Sequence, residues 1–397
     1  MRLKTTPFSA DFPKVPHLIR KALLNILLAV ILSATWATFS STFTLDAGDF
    51  PAFYTGAAIA LRGDYRNLHN ERLQSEIQRP LTPTRPQPVY FVRPHVYAAL
   101  LAPFALVPIR HSFIFWILLQ AAVLIVCWYW AYCRFGSDAV ALAALFPAAI
   151  MSFAFGQDVV LFLGVFVLSY FLFEQDRPVL CGFVLGLALI KPHLMMLVPV
   201  ALVLQRRWRM LAGLLLAAVV EVSASLALGG FDGAENYLRF LQHRQQDLSP
   251  TPERMMNVYA IGRNIGVDAA ALSAVLVVMV LTCVVAICWR GAWWQSFAAA
   301  IIGTLLIAPH TYLYDSTLVI LPALLIAFQA SSLPARAVAA AFCTPIPCLL
   351  QLAEMPWTMV PALVLLALLI SLAWEVAGAE WGVGRLFRRD AIIKIWL

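Results

Sequence analysis

Charge is what this chain has least of. Of its 397 residues only 12% are Asp, Glu, Lys or Arg, against 62% hydrophobic, about half the charged share of a soluble globular protein. That scarcity excludes an ordinary water-soluble domain. Strict alternation of apolar and polar residues is missing too, which excludes a closed β-barrel. Cysteine is sparse and poorly spaced for chemistry. Cys127, Cys133, Cys181, Cys283, Cys288, Cys343 and Cys348 all lie within or beside apolar segments, so neither a disulfide framework nor a zinc site is expected. No acidic nucleotide-sugar motif sits in a soluble domain. The expectation is therefore no nucleotide donor, no resident metal and no cofactor, with a loosely held divalent ion left open. The two halves do not repeat one another, which weakens a transporter reading.

What the chain has instead is apolar sequence in runs of about 15 to 22 residues, recurring along nearly its whole length. Mean hydropathy is +0.81. The pattern predicts an all-α polytopic membrane protein with about 12 transmembrane helices, forming one transmembrane domain over residues 1–397. The first run, 18–38, is too long for a cleavable signal and reads as a true span. Later runs fall at 113–132, 139–155, 159–173, 179–190, 194–204, 210–228, 269–289, 294–308, 313–328, 335–350 and 358–374. The formal charge of +7 does not point to nucleic acid, because the basic residues sit in short clusters between spans. Arg2, Lys4, Lys14, Arg20 and Lys21 before the first span place the N-terminus in the cytoplasm. The same rule places both termini in the cytoplasm, and the expected location of this multi-pass protein is the plasma (inner) membrane. Arg134, the segment at Glu174, the cluster Arg206, Arg207 and Arg209, then Arg290, Arg336 and the tail 385–394 share that side.

The opposite face then collects the remaining polar chemistry. It carries a first extracytoplasmic loop over 44–112 and a second over 229–268. Short clusters at 156–158, 191–193 and 309–315 lie on the same side. The first loop opens with Asp46 and Asp49, continues into the aromatic stretch Phe50, Phe53 and Tyr54, and passes through the proline-rich segment 79–94, which reads as ordered coil. The apolar stretch 96–109 is short and interrupted by Pro103 and Pro108, so it reads as an interfacial or re-entrant helix. A carboxylate in the partly desolvated surroundings of Asp49 is suited to act as a base near neutral pH; Asp46 is the secondary acid. Lys191 and His193 stand in an otherwise uncharged stretch. Burial of Lys191 in mid-bilayer costs at least about 2.5 kcal/mol unless it is paired or hydrated, so the chain is expected to break at 191–193 and turn these residues outward. Glu221, inside a predicted span, is a further functional candidate.

The order of these segments carries a resemblance. The acid and aromatic helix ending in Arg62, Gly63, Asp64 and Tyr65, then FGQDVVLFLGVF from Phe155, then GFVLGLALIKPHLMMLVPVALVLQRRWR from Gly182, then IAPHTYLYDSTLVILPAL from Ile307, together resemble membrane glycosyltransferases of the GT-C superfamily. The detailed match is to the polyprenyl-phosphate-mannose-dependent type, glycosyltransferase family 87, over most of residues 45 to 325. Two departures stand out. Val92, Arg93, Pro94 and His95 replace a Tyr-Pro-Pro element, and Leu68, His69 and Asn70 stand where the family often has Tyr.

The resemblance implies a hexosyltransferase of the cell envelope, a mannosyltransferase by analogy. It would move a sugar from a polyprenyl-phosphate donor to a lipid or glycan acceptor on the extracytoplasmic face, with inversion. It maps the general base onto Asp49. Lys191, His193, His310, Arg93, Gln157, Tyr54 and Asp315 are the candidates for holding donor phosphate or sugar. The bilayer is the remaining partner, and nucleic acid is not one. A polyprenyl-linked lipid flippase is the alternative, and a noncatalytic scaffold a more distant one.

Overall fold

A computed structural model describes residues 48–244, 251–266 and 269–380. The expected first span at 18–38, the N-terminal basic cluster, Asp46 and the tail 385–394 lie outside the described residues. All regular secondary structure among the described residues is helical. Four helices have the length and apolar character to cross a bilayer: Ile109–Phe135, Trp208–His243, Ala269–Arg290 and Trp357–Gly378. Two bent pairs raise the number to six if each counts as one span. They are Ser137–Leu145 with Ala148–Ala154, bent by 52°, and Leu333–Phe342 with Pro345–Gln351, bent by 54°. Pro147 and Pro345 stand at those breaks, where the ring removes a backbone donor and clashes with the preceding turn.

The other apolar runs fold as shorter pieces, among them Val159–Glu174, Pro178–Ile190, Trp293–Ile307 and Leu313–Gln329. The expectation of about 12 spans therefore counted as spans several runs that make only short helices. A helix of 16 residues is about 24 Å long, short of the roughly 30 Å hydrocarbon core.

The most telling of these pieces surrounds Lys191. The helix Pro178–Gly186 tightens into a 3-10 turn at Leu187–Ile190, a second such turn follows at Pro192–Leu194, and the chain leaves through Val198–Leu204. A Cβ on Gly182 would fall 1.8 Å from the Met210 carbonyl oxygen, and one on Gly186 would meet Leu214. The helices Pro178–Gly186 and Trp208–Arg244 thus run side by side in the same direction, their backbones touching in the way small residues permit between membrane helices. Val198–Leu204 must return between them. Residues 178–204 form a hairpin with Lys191 at its apex.

Two ends of the bundle follow. At one, Arg134 pairs with Glu174 at 2.8 Å, Gln205 donates to the carbonyls of Cys288 and Gly291, and Arg207 lies over Phe173 and Trp293. Glu375 accepts there from the backbone of Ser331 and Ser332. The helix Val159–Glu174 leads from the other end to this one, and Trp293–Ile307 leads back. The first-loop helix Phe50–Leu61 is fastened near the far end of Ile109–Phe135 by Trp116, whose ring packs on Phe50 and Phe53. The segment 229–268, expected as a loop, is substantially helical. Trp208–Arg244 continues past a single kink at Gly230, and Val258–Ile265 follows.

Candidate active site

Asp49 ends the entry to the helix Phe50–Leu61, the position at which a carboxylate usually caps its own helix. Here it makes no such bond. Its backbone N–H donates to the Phe155 carbonyl at 2.7 Å, and its side chain accepts a short hydrogen bond from Gln157 Nε2. Arg85, from the proline-rich coil, donates to the Gly48 carbonyl at 2.5 Å. Asp49 is half-buried. Burial pushes its carboxyl above the usual range, against the opposing pull of Arg85, Gln157, Lys191 and Arg93.

The turn that meets Asp49 depends on Gly156. That residue has φ +62°, and a Cβ on it would stand 2.7 Å from the Cβ of Phe50. Only glycine takes the left-handed conformation at such close approach without strain. The turn directs two neighbours differently: Gln157 towards Asp49, Asp158 into a buried ion network.

Asp158 is fully buried. It receives Arg93 Nε at 3.4 Å and Lys191 Nζ at 3.2 Å, and the Tyr97 hydroxyl donates to it at 3.2 Å. Lys191, 3% exposed, also reaches Asp315 Oδ1 at 3.2 Å. The other oxygen of Asp315 accepts from the Tyr312 backbone N–H at 2.9 Å, closing the turn that follows Pro309. Burial alone pushes the Asp158 carboxyl upward, but Lys191, Arg93 and the hydrogen bonds of Lys191 and Tyr97 hold it below its usual range. Two cations thus balance two carboxylates. An unpaired charge at this depth would cost several kcal/mol.

Beside the network, rings stand in series. His193 lies 6.0 Å from His310 and His310 5.0 Å from Tyr312. Tyr312 is 6.0 Å from Tyr314, which is 6.1 Å from Phe155. His193 Nε2 is buried and has no hydrogen-bond partner among the described residues. Burial, reinforced by the positive charges of Lys191 and Arg93 and by His310, pushes its pKa down to about 2, so the imidazole is neutral.

The expected site residues distribute as follows. Asp49, Gln157, Arg93, Lys191 and Asp315 join through a chain of shared partners, with His193 and His310 alongside. Lys191 and Arg93, assigned in sequence to a phosphate, have their charge shared with carboxylates. Tyr54 is occupied elsewhere: its hydroxyl donates to the Val107 carbonyl at 3.0 Å. Asp46 lies outside the described residues. Glu221 keeps a buried carboxylate oxygen with no hydrogen-bond partner among the described residues and takes no part in the ion network. Asn257 caps Val258–Ile265 and donates to the Ala308 carbonyl at 2.9 Å, bracing the approach to His310.

In the sequence Asp158 stands out only as part of the polar cluster 156–158, and neither Tyr97 nor Arg85 is singled out. An ionisable residue between two apolar runs was the available signal for Asp158. None existed for Tyr97, whose partner lies 61 residues away.

No curated protein sequence and no solved structure matches the chain. The model of one family, Glycosyltransferase family 87, matches residues 91–309. That stretch is more than half of the chain. It carries Arg93, Gln157, Asp158, Lys191 and His193, starts after Asp49 and ends just before His310. With its helical, lipid-suited architecture and its buried charged site, the chain belongs to glycosyltransferase family 87.

Proposed function

We propose that this membrane glycosyltransferase moves a hexose, mannose by family analogy, from a polyprenyl-phosphate donor to a lipid or glycan hydroxyl, with inversion at the anomeric carbon. Asp49 is the base. It takes the proton of the acceptor hydroxyl as the new oxygen–carbon bond forms. The bond from the anomeric carbon to the phosphate oxygen breaks on the opposite side, and the polyprenyl phosphate leaves as an anion. A raised carboxyl pKa suits a base that works near neutral pH. Alignment of the two substrates supplies much of the remaining rate.

One observation carries this reading: Asp49 of the first loop and the Asp158–Lys191–Asp315 network of distant helices meet across a single turn at 155–158. In this proposal Lys191, Arg93 and Asp315 are the fixed frame of the site. Lys191 or Arg93 reaches a donor phosphate only by exchanging a carboxylate partner. Neutral His193 offers an N–H donor to the departing phosphate oxygens, His310 offers a second, and Tyr312 and Tyr314 offer faces for the sugar. Against the flippase alternative stands the closing of the Asp158, Lys191, Arg93 and Asp315 charges on one another at one end of the described bundle.

In this proposal the site end faces the extracytoplasmic side, a reading supported by charge. Arg134, Arg206, Arg207, Arg209 and Arg290 belong to linkers at the opposite end, where basic residues mark the cytoplasm.

The deciding experiment compares wild type with Asp49→Asn in membranes supplied with radiolabelled polyprenyl-phosphate mannose. Removing a general base lowers transfer by about 10²- to 10⁴-fold, with expression and detergent elution unchanged. Full transfer by the variant removes Asp49 from the mechanism.

A further inference from the structure

The turn between Ala148–Ala154 and Val159–Glu174 places side by side a residue that belongs to the ion network and one that does not. Asp158 is consumed by three partners. Among the described residues, the side chain of Gln157 hydrogen-bonds only to Asp49, and its remaining amide oxygen is buried with no hydrogen-bond partner. Sequence reasoning assigned this glutamine to the donor sugar. Its surroundings argue for a different task.

Gln157 is held from both directions. Its backbone N–H donates to the Ser152 carbonyl at 2.8 Å, and its own carbonyl accepts from Ser152 Oγ at 3.3 Å. The Trp116 indole donates to the Gly156 carbonyl at 3.0 Å. A Cβ on Gly48 would stand 2.9 Å from the Phe155 carbonyl oxygen, so the backbones carrying the acid and the amide touch. The glutamine is 5% exposed. A side chain so fixed loses little freedom when it binds, which is what orienting a reacting group requires.

We infer that Gln157 is a positioning residue for Asp49: its amide N–H fixes one carboxylate oxygen, leaving the other to take the acceptor proton, while its unpartnered amide oxygen receives a hydroxyl of the same acceptor. The inference rests on the proposed role of Asp49 as base. It separates the two neighbours of the turn by function, since Asp158 sets the frame and Gln157 aims the acid.

Other charged or titratable groups also face Asp49. They are Arg85 and Arg93 from the coil, Lys191 from the hairpin apex, and Tyr314 from the turn after Pro309. The arginines and the lysine favour the ionised acid, as the Gln157 hydrogen bond does. Loss of the amide N–H therefore makes Asp49 hold its proton to higher pH.

The test uses the full chain in detergent, with Gln157→Met and Gln157→Glu beside wild type. Dicyclohexylcarbodiimide, which attacks protonated carboxyls in apolar surroundings, reports the protonated fraction of Asp49 at each pH through peptide mass spectrometry. Fragment spectra separate Asp49 from Asp46. The labelling midpoint of Gln157→Met moves to higher pH by about one unit, the size of a lost hydrogen bond to an ionised group. It moves further in the isosteric Gln157→Glu, where a second carboxylate faces the first. The acid limb of mannosyl transfer follows both. Midpoints that stay at the wild-type value in both variants overturn the inference. Midpoints that move while the transfer profile stays fixed instead overturn Asp49 as the base.

Discussion

Both ends of the bundle carry ionic pairs built from similar residues, yet they do different work. At the end formed by the linkers 134–137, 174–178, 205–208 and 290–293, side chains of Arg134 and Glu174 are 36% and 24% exposed. Arg207 lies on aromatic faces, the behaviour of a cation that covers apolar surface with its stem. At the other end Asp158, Lys191 and Asp315 are almost fully enclosed. A half-exposed pair is screened by solvent and contributes little. An enclosed one cannot lose a member without leaving a charge stranded. The same chemistry is an anchor at one end and a rigid frame at the other.

The comparison breaks most visibly at Lys191. Lys191→Met leaves Asp158 and Asp315 facing each other with Arg93, on Asp158, as the remaining cation of the network. The expected loss is about 3–5 kcal/mol, seen as a large fall in apparent melting temperature of the detergent-solubilised protein. Arg134→Met, at the other end, should cost within about 1 kcal/mol. Equal melting temperatures for the two variants would mean that enclosure is not what separates the ends.

The apolar runs, the break at 191–193 and the presence of a loop acid were legible in the sequence, because each is local, whereas the bends at Pro147 and Pro345 fall inside runs expected to be continuous. The partners of Lys191 were not. Its burial in mid-bilayer looked costly enough to turn it outward, an expectation that excepted only a paired or hydrated lysine. Pairing is what the fold supplies, through Asp158 and through Asp315, 124 residues away. No local pattern encodes such a distance. The loop expected to begin at 229 departs in the opposite direction: within Trp208–Arg244 only Gly230 leaves helical geometry. Gly229 and Gly233 instead make room for His95, since a Cβ on Gly229 would stand 2.6 Å from its Nε2.

That histidine belongs to a second distinction between the ends. His69, His95 and His193 all lie at the site end, and burial pushes the pKa of each down, to about 3 for His69 and about 2 for His193. Their unfolded counterparts take up a proton near pH 6.5. The folded chain therefore binds fewer protons, and stability is lost as pH falls below about 6.5. For enclosed His69 the loss between pH 7 and 5 is roughly 2 kcal/mol. Melting temperature measured against pH should slope downward over that range and flatten in His69→Gln, which keeps a donor for the Arg93 carbonyl. An unchanged slope would remove His69 from the acid response.

Within the site end, Tyr54 offers the finest division. It stands one helical turn beyond Asp49, where an aromatic residue invites a sugar-stacking role, yet its hydroxyl is spent on the Val107 carbonyl. That bond ties the first-loop helix to the segment leading into Ile109–Phe135. Tyr54→Phe keeps the ring and deletes only the bond, for a cost of about 1 kcal/mol. If Tyr54 braces the helix, melting temperature falls slightly while the apparent KM for the donor holds within about twofold. A hydroxyl that instead bound the donor equally in ground and transition state would reveal its removal in KM. A several-fold rise in donor KM with stability unchanged would move Tyr54 from the scaffold into the sugar site. It would also show that a satisfied hydroxyl can exchange its partner for substrate, the same exchange required of Lys191 or Arg93 before either can touch a phosphate.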